Sequence, residues 1–175
     1  MSPGFFETYI NILQAVEELL EKRRIIPSLI LIYTAIDGFS SLANRDKPDK
    51  GRSVFMGWVK TWMLNHLNSK CNEKDLYSAR CAVLHQMVSE SEMTREGDAR
   101  RIYYTWGNRE SKSLQIKLDN SPLKDSALAV KVEDIFWAFR RGMSDCMQQI
   151  EKDQSWQKSF DKKAEKLFIS IHDPQ

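Results

Sequence analysis

One stretch of the chain carries residue types suited to moving protons and gripping an anion. It reads Asp75-Leu76-Tyr77-Ser78-Ala79-Arg80-Cys81-Ala82-Val83-Leu84-His85. An imidazole titrates near neutral pH, so His85 can take or give a proton in a reaction. A guanidinium is permanently charged and presents a fork of donors, so Arg80 can hold a phosphate and stabilise charge that builds on it. On an α-helix the two side chains are about 140° apart in projection, and both are long enough to reach one ligand at the helix edge. Ser78, Cys81 and His85 lie more nearly on one face, at spacings of three and four.

Other chemistries lack their residues. There is no GxxxxGK[ST], GxGxxG or HExxH pattern, and no GxSxG marks a serine nucleophile. The histidines, His66, His85 and His172, are scattered, so a multi-histidine metal site within one subunit is not expected, and no cofactor motif is present. Cys71, Cys81 and Cys146 are odd in number and lack CxxC spacing, which suits reduced thiols in a cytoplasmic protein. Met1 to Glu7 has no basic, signal-like start, and the most apolar run, Ile25 to Ile36, is interrupted by Pro27 and predicts no membrane span.

The elements that must position these residues are mostly helical. The chain has 175 residues, 42% hydrophobic and 29% charged, with only 7 Gly and 5 Pro. That composition fits a single folded domain over 1–175 and excludes a chain disordered throughout. Low Gly and Pro disfavours a barrel or sandwich of many short strands. Phe6, Tyr9, Leu13, Val16 and Leu20 form a stripe on a first helix from Pro3 to about Arg24, with Ser2 as its cap. Pro27 to Asn44 is a second helix, apolar nearly all round and therefore central, with Asp37 breaking the pattern. A buried carboxylate needs a partner, so Asp37 either meets a cation or faces solvent at the rim.

A charged loop, 44–52, separates this from a third helix, Ser53 to Leu67, with Phe55, Val59, Trp62 and Met63 inward and Trp58 on the flank. Asn72 and Asp75 predict a capping box at the start of the fourth helix, whose buried stripe is Leu76, Ala79, Val83 and Met87. Residues 101–106 and the alternating run 113–118 predict a β-hairpin, with Ala127 to Val130 as a further short strand. Val132, Phe136, Phe139, Met143, Cys146 and Ile150 mark a fifth helix, and Trp156 to Ile171 a last one. The expected class is all-α: a helical bundle of five or six helices with a small β-hairpin insertion at about 101–118.

An apolar second helix bearing an acidic residue, followed by a capped helix with Leu76-Tyr77-x-x-Arg80-x-x-x-Leu84-His85, resembles the HEPN superfamily of small helical-bundle proteins. The resemblance covers the second to fourth helices. It implies a metal-independent RNA endoribonuclease of toxin or defence type, working as a homodimer with two Arg-x4-6-His helices across a cleft. It implies Arg80 on the phosphate, His85 as acid or base, and Asp37 orienting them. The product would be a 2′,3′-cyclic phosphate. An antitoxin or a nucleotidyltransferase is the kind of protein partner it implies. Many catalytic members carry Asn, Asp or His after the arginine. Here that residue is Cys81, and the alternative is a non-catalytic bundle that binds a nucleotide or a protein.

Tyr33 and Tyr77 are either core-edge tyrosines or supports of the same cleft. The net charge of +2 hides local basic groups that suit a phosphate backbone. These are Arg45, Lys47, Lys50 and Arg52 in one loop, and Arg95, Arg100, Arg101 and Arg109 around the expected hairpin, where Tyr103, Tyr104 and Trp106 either pack against the bundle or stack on bases.

Overall fold

The computed structural model describes residues 3–45, 51–88 and 90–167. The chain is mostly helical, with one two-stranded parallel sheet. Helices α1 (Pro3–Glu21), α2 (Ile25–Ala43) and α3 (Gly51–Trp58) come first. α3 runs on through a π-helical turn, Val59–Met63, and a 3-10 turn, Leu64–His66. α4 (Glu73–Cys81) likewise widens into a π turn, Ala82–Gln86. The short α5 (Glu92–Arg95), strand β1 (Arg101–Thr105), α6 (Ser111–Asp119), strand β2 (Ala127–Lys131), α7 (Val132–Lys152) and α8 (Gln154–Ala164) follow.

α2 is the central element and packs against α1, α3, α7, α8 and the π turn after α4. Ile32, Tyr33, Ile36 and Phe39 on it are fully buried. Phe39 is the hub of an aromatic cluster, with Trp58, Tyr9 and Phe139 at centroid distances of 5.4, 5.7 and 6.3 Å, each edge-on as ring quadrupoles prefer. Each such ring removed from water contributes about 1.5–3 kcal/mol. The apolar run does not stop at Ile36. Across Asp37 it continues to Ala43, and the 19-residue helix is long and apolar enough to cross a membrane by length and composition alone. Half of that window is buried against the other elements.

The predicted hairpin is corrected. Residues 101–105 form a strand, but Ser113–Leu118 lies within α6, and β1 pairs with β2 in parallel, Arg101 opposite Ala127 and Thr105 opposite Lys131. Parallel strands need a crossover, and α6 is that crossover. In α6, Leu114 and Leu118 share a face at i,i+4 and pack with Ala127, Ala129 and Tyr103, while Ile116, which an alternating strand would turn inward, is 54% exposed. Gln115 seals the join by accepting from the Ala129 N–H at 2.8 Å.

Other expectations shift by one residue. Phe5 rather than Phe6 is buried on α1, and Ser2 lies outside the described residues. α3 starts at Gly51, inside the expected loop. Trp58 is buried and Trp62 only half-buried. α7 approaches the π turn so closely that a Cβ on Gly142 would stand 2.6 Å from the Trp62 carbonyl oxygen. The face of α4 holds for Leu76, but Met87 is 77% exposed, since the helix has ended there with Met87 in the left-handed region (φ 51°). The α7 stripe is buried at Val132, Phe136, Phe139, Cys146 and Ile150. α8 closes at Ala164, and Ile171 lies outside the described residues.

Candidate functional site

The site is built on α4 and the turn that follows it. Its start is held by the expected capping box: Asn72 Oδ1 accepts from the Lys74 and Asp75 N–H groups at 2.9 Å, and Asp75 accepts from the Asn72 N–H at 3.0 Å. Asp75 is 1% exposed, and its second role is an ion pair with Arg100 at 2.7 Å, reinforced by the Arg100 backbone N–H at 2.8 Å. Arg100 also donates to the Lys70 carbonyl. This anchors the first turn of α4 to the approach to β1.

At the other end the backbone changes pitch. A π turn closes with i→i+5 hydrogen bonds instead of i→i+4, so about one more residue fits per turn. Residues five apart are then brought towards the same face. Arg80 and His85 are five apart, and Arg80 Nη1 lies 2.8 Å from His85 Nε2. An arginine can only donate, so Nε2 is the acceptor, and the neutral ring bears its proton on Nδ1. Met87 and Val88 both return N–H bonds to the Ala82 carbonyl, which fixes the widened turn.

Asp37 takes the other side of the guanidinium, with Arg80 Nη2 donating to Oδ2 at 2.7 Å. The pair is half-buried, 15% exposed at Arg80 and 34% at Asp37. Burial works against the Arg80 charge, but the hydrogen bond and charge of Asp37 outweigh it and raise the Arg80 pKa above its ordinary value. The Arg80 Nε–H is buried without a hydrogen-bond partner. His85 is exposed. The three expected catalytic side chains therefore meet in one chain of contacts, Asp37–Arg80–His85.

Tyr77 and Arg52 join them. The guanidinium carbons of Arg52 and Arg80 lie 5.8 and 5.9 Å from the Tyr77 ring centroid, within cation–π range. Burial raises the Tyr77 pKa, and its hydrogen bond with Cys81 adds to this. Cys81 is a half-buried free thiol, 3.9 Å from Arg80 Nη1.

Four expected binding residues are placed elsewhere. Tyr33 is fully buried, and its hydroxyl bonds that of Tyr104 at 2.8 Å; burial, then Tyr104, pushes the Tyr33 pKa well above the usual phenol value. Ser78 is buried and bonds Ser91 and Thr94, tying α5 to α4. Arg101 pairs with Glu90 and donates to Tyr103. Arg45 pairs with Asp153 and stacks on Trp156. Helical spacing places Tyr33 and Ser78 on a face but cannot say that the face is covered. Lys47 and Lys50 lie outside the described residues.

Tyr9 is a neighbour that the spacing did not single out as more than core. It packs close enough to Gly38 that a Cβ there would lie 3.1 Å from its hydroxyl. Burial, then the Asp37 carboxylate, raises its pKa. Among the described residues, no group of three or more His, Cys, Asp or Glu side chains is placed to hold a metal ion. No protein-family model matches the chain, and neither does a curated protein or a solved structure.

Proposed function

We propose that the protein is a HEPN-like helical bundle that cleaves RNA without a metal, as a homodimer in the cytoplasm. The observation that carries this reading is the Asp37–Arg80–His85 chain on an accessible helix end. Arg80, held charged by Asp37, grips a non-bridging phosphate oxygen of the scissile nucleotide. When the phosphate takes over the Arg80 Nη1 donor, His85 Nε2 is released and accepts the proton of the ribose 2′-hydroxyl. The 2′-oxygen attacks phosphorus, the bond to the 5′-oxygen breaks, and that oxygen takes a proton from a second ring that enters the step as an imidazolium and leaves it neutral. The products are a 2′,3′-cyclic phosphate and a 5′-hydroxyl, so atoms and charge balance without a metal. One His85 per chain becomes two per site when a second copy pairs along α4.

The test is a cleavage assay on single-stranded RNA with EDTA present. Wild-type protein is expected to cut, and RNA carrying a 2′-deoxy group at the scissile residue is expected to survive. Arg80→Ala is expected to lose about 10²–10³ in rate and His85→Ala about 10²–10⁴. Equal rates for wild type and His85→Ala would sink the enzyme reading.

Cys81 favours a second reading, a bundle that binds nucleotide or protein without cutting. Its thiol is a weak hydrogen-bonding group beside Arg80. RNA binding without cleavage, kept in His85→Ala, is the result that selects it.

A further inference from the structure

A second feature lies across α3 from the Tyr77 face. Between the end of α2, α3 and the start of α8 is a cavity of about 240 Å³. Trp62 and Trp156 line it, their ring centroids 6.4 Å apart and their planes inclined by 44°. Trp156 is locked in place because its Nε1–H donates to the Ala43 carbonyl at 2.7 Å. The Arg45 guanidinium lies 4.3 Å from the Trp156 ring centroid, at the cavity edge.

Two glycines of neighbouring helices sharpen its meaning. Glycine inside a helix costs about 1 kcal/mol relative to alanine, so each needs a reason. At Gly142 the reason is contact, because a Cβ would strike the Trp62 carbonyl. At Gly57, which lines the cavity, a Cβ would meet nothing within 4 Å. Among the described residues, no protein atom uses the space that the missing side chain leaves. An absent side chain at a cavity wall lets a ligand approach the backbone closely.

Size and lining narrow the ligand. The cavity falls below the roughly 300–1,000 Å³ of sites that enclose a drug-sized molecule, so it suits one ring system. The indole lining favours a flat aromatic ring, and the Arg45 guanidinium, by exchanging its Asp153 carboxylate for a phosphate, favours one that carries that group. We propose that this cavity receives a single unpaired nucleobase, with the attached phosphodiester lying towards Arg45. The proposal rests on RNA being the substrate of the Arg80 site. Arg52 and Ser53 are consecutive at the start of α3; Arg52 lies over Tyr77 and Ser53 lines the cavity, so one strand can cross the helix start and occupy both.

The test uses the full chain and a short single-stranded RNA, 2′-O-methylated throughout so that the internal nucleophile is blocked. Binding is followed by fluorescence anisotropy and by tryptophan quenching, for the intact strand and for a series with one abasic position each. Wild-type protein is expected to lose about tenfold or more in affinity at one abasic position. Gly57→Leu fills the cavity from a position with room for a side chain. It is expected to bind the intact strand as weakly as wild type binds that abasic strand. Trp62→Leu, checked for folding by circular dichroism, is expected to behave alike.

Uniform loss across the abasic series in wild-type protein overturns the proposal. Wild-type affinity in folded Gly57→Leu and Trp62→Leu overturns it too. AMP quenching that equals the strand's and disappears in Gly57→Leu upholds the base site but overturns the strand as its source. Base-dependent binding by a protein that cuts no unmodified RNA removes the nuclease reading and leaves the base site standing.

Discussion

Arg80 and His85, five residues apart, meet Nη1 to Nε2 at 2.8 Å because the helix between them widens into a π turn. Regular α-helical winding would leave them about 140° apart around the axis. With Arg80 able only to donate, the contact sets the imidazole's tautomer as well as its position. The expected outcome is a neutral His85 ring protonated at Nδ1, seen in long-range 1H–15N correlations of the ring nitrogens. In Arg80→Ala that preference should vanish while the other histidines keep their signals. An unchanged His85 pattern would show that the contact does not govern the ring.

Asp75 and Arg100 anchor the opposite end of the same helix. The carboxylate is buried, and it satisfies both a cap and a guanidinium. Removing one partner of such a pair leaves polar groups stranded, so Asp75→Ala should lower unfolding free energy by about 3 kcal/mol in urea denaturation. Arg100→Ala should also destabilise, because it leaves the Asp75 carboxylate, 1% exposed, without its counter-charge. Equal stability of Asp75→Ala and wild type would mean that α4 is held by its apolar face alone.

The two helical glycines should respond oppositely to alanine. Gly142→Ala drives a methyl into the Trp62 carbonyl, and the overpacking should cost about 1–3 kcal/mol. Gly57→Ala meets open space at an exposed position of α3 and should stabilise by about 0.5–1 kcal/mol. Thermal unfolding of the two variants checks the signs directly.

Buried thiols and phenols predict weakness in alkali. Burial pushes the Cys146 thiol from its ordinary 9.0 up to about 11. Burial also raises Cys71, Tyr33 and Tyr104. A raised acid favours the protonated, folded form, so its contribution is complete below pH 9 and is lost as pH climbs towards the folded value. Denaturant midpoints should hold from pH 7 to 9 and fall between pH 9 and 11. Cys146→Ala, less stable at neutral pH through its cavity, should fall less steeply over that range.

The α4 region was the most legible part of the chain. Asn72 and Asp75 stand at capping-box spacing, and the capping box forms because both partners lie within one turn. That Asp37 needs a cation or solvent follows from the cost of an isolated carboxylate on an apolar helix, and the choice of Arg80 as the partner is made by packing. The run 113–118 misled because six residues satisfy an alternating pattern and a helical one alike. What settles it is the burial of Leu114 and Leu118 against β2, a strand that comes later in the chain.

Local pattern is enough to place the long helices and the Asn72–Asp75 cap, and to mark Asp37 as a charge in need of a partner. Those properties arise from neighbours within a few positions. Packing across the chain sets β1 and β2 in parallel, seals Tyr33 and Ser78 inside, and presses α7 against the turn carrying Trp62. It also decides that a π turn swings His85 onto Arg80. These depend on which faces meet across the chain, and helical periodicity describes a face without saying what covers it.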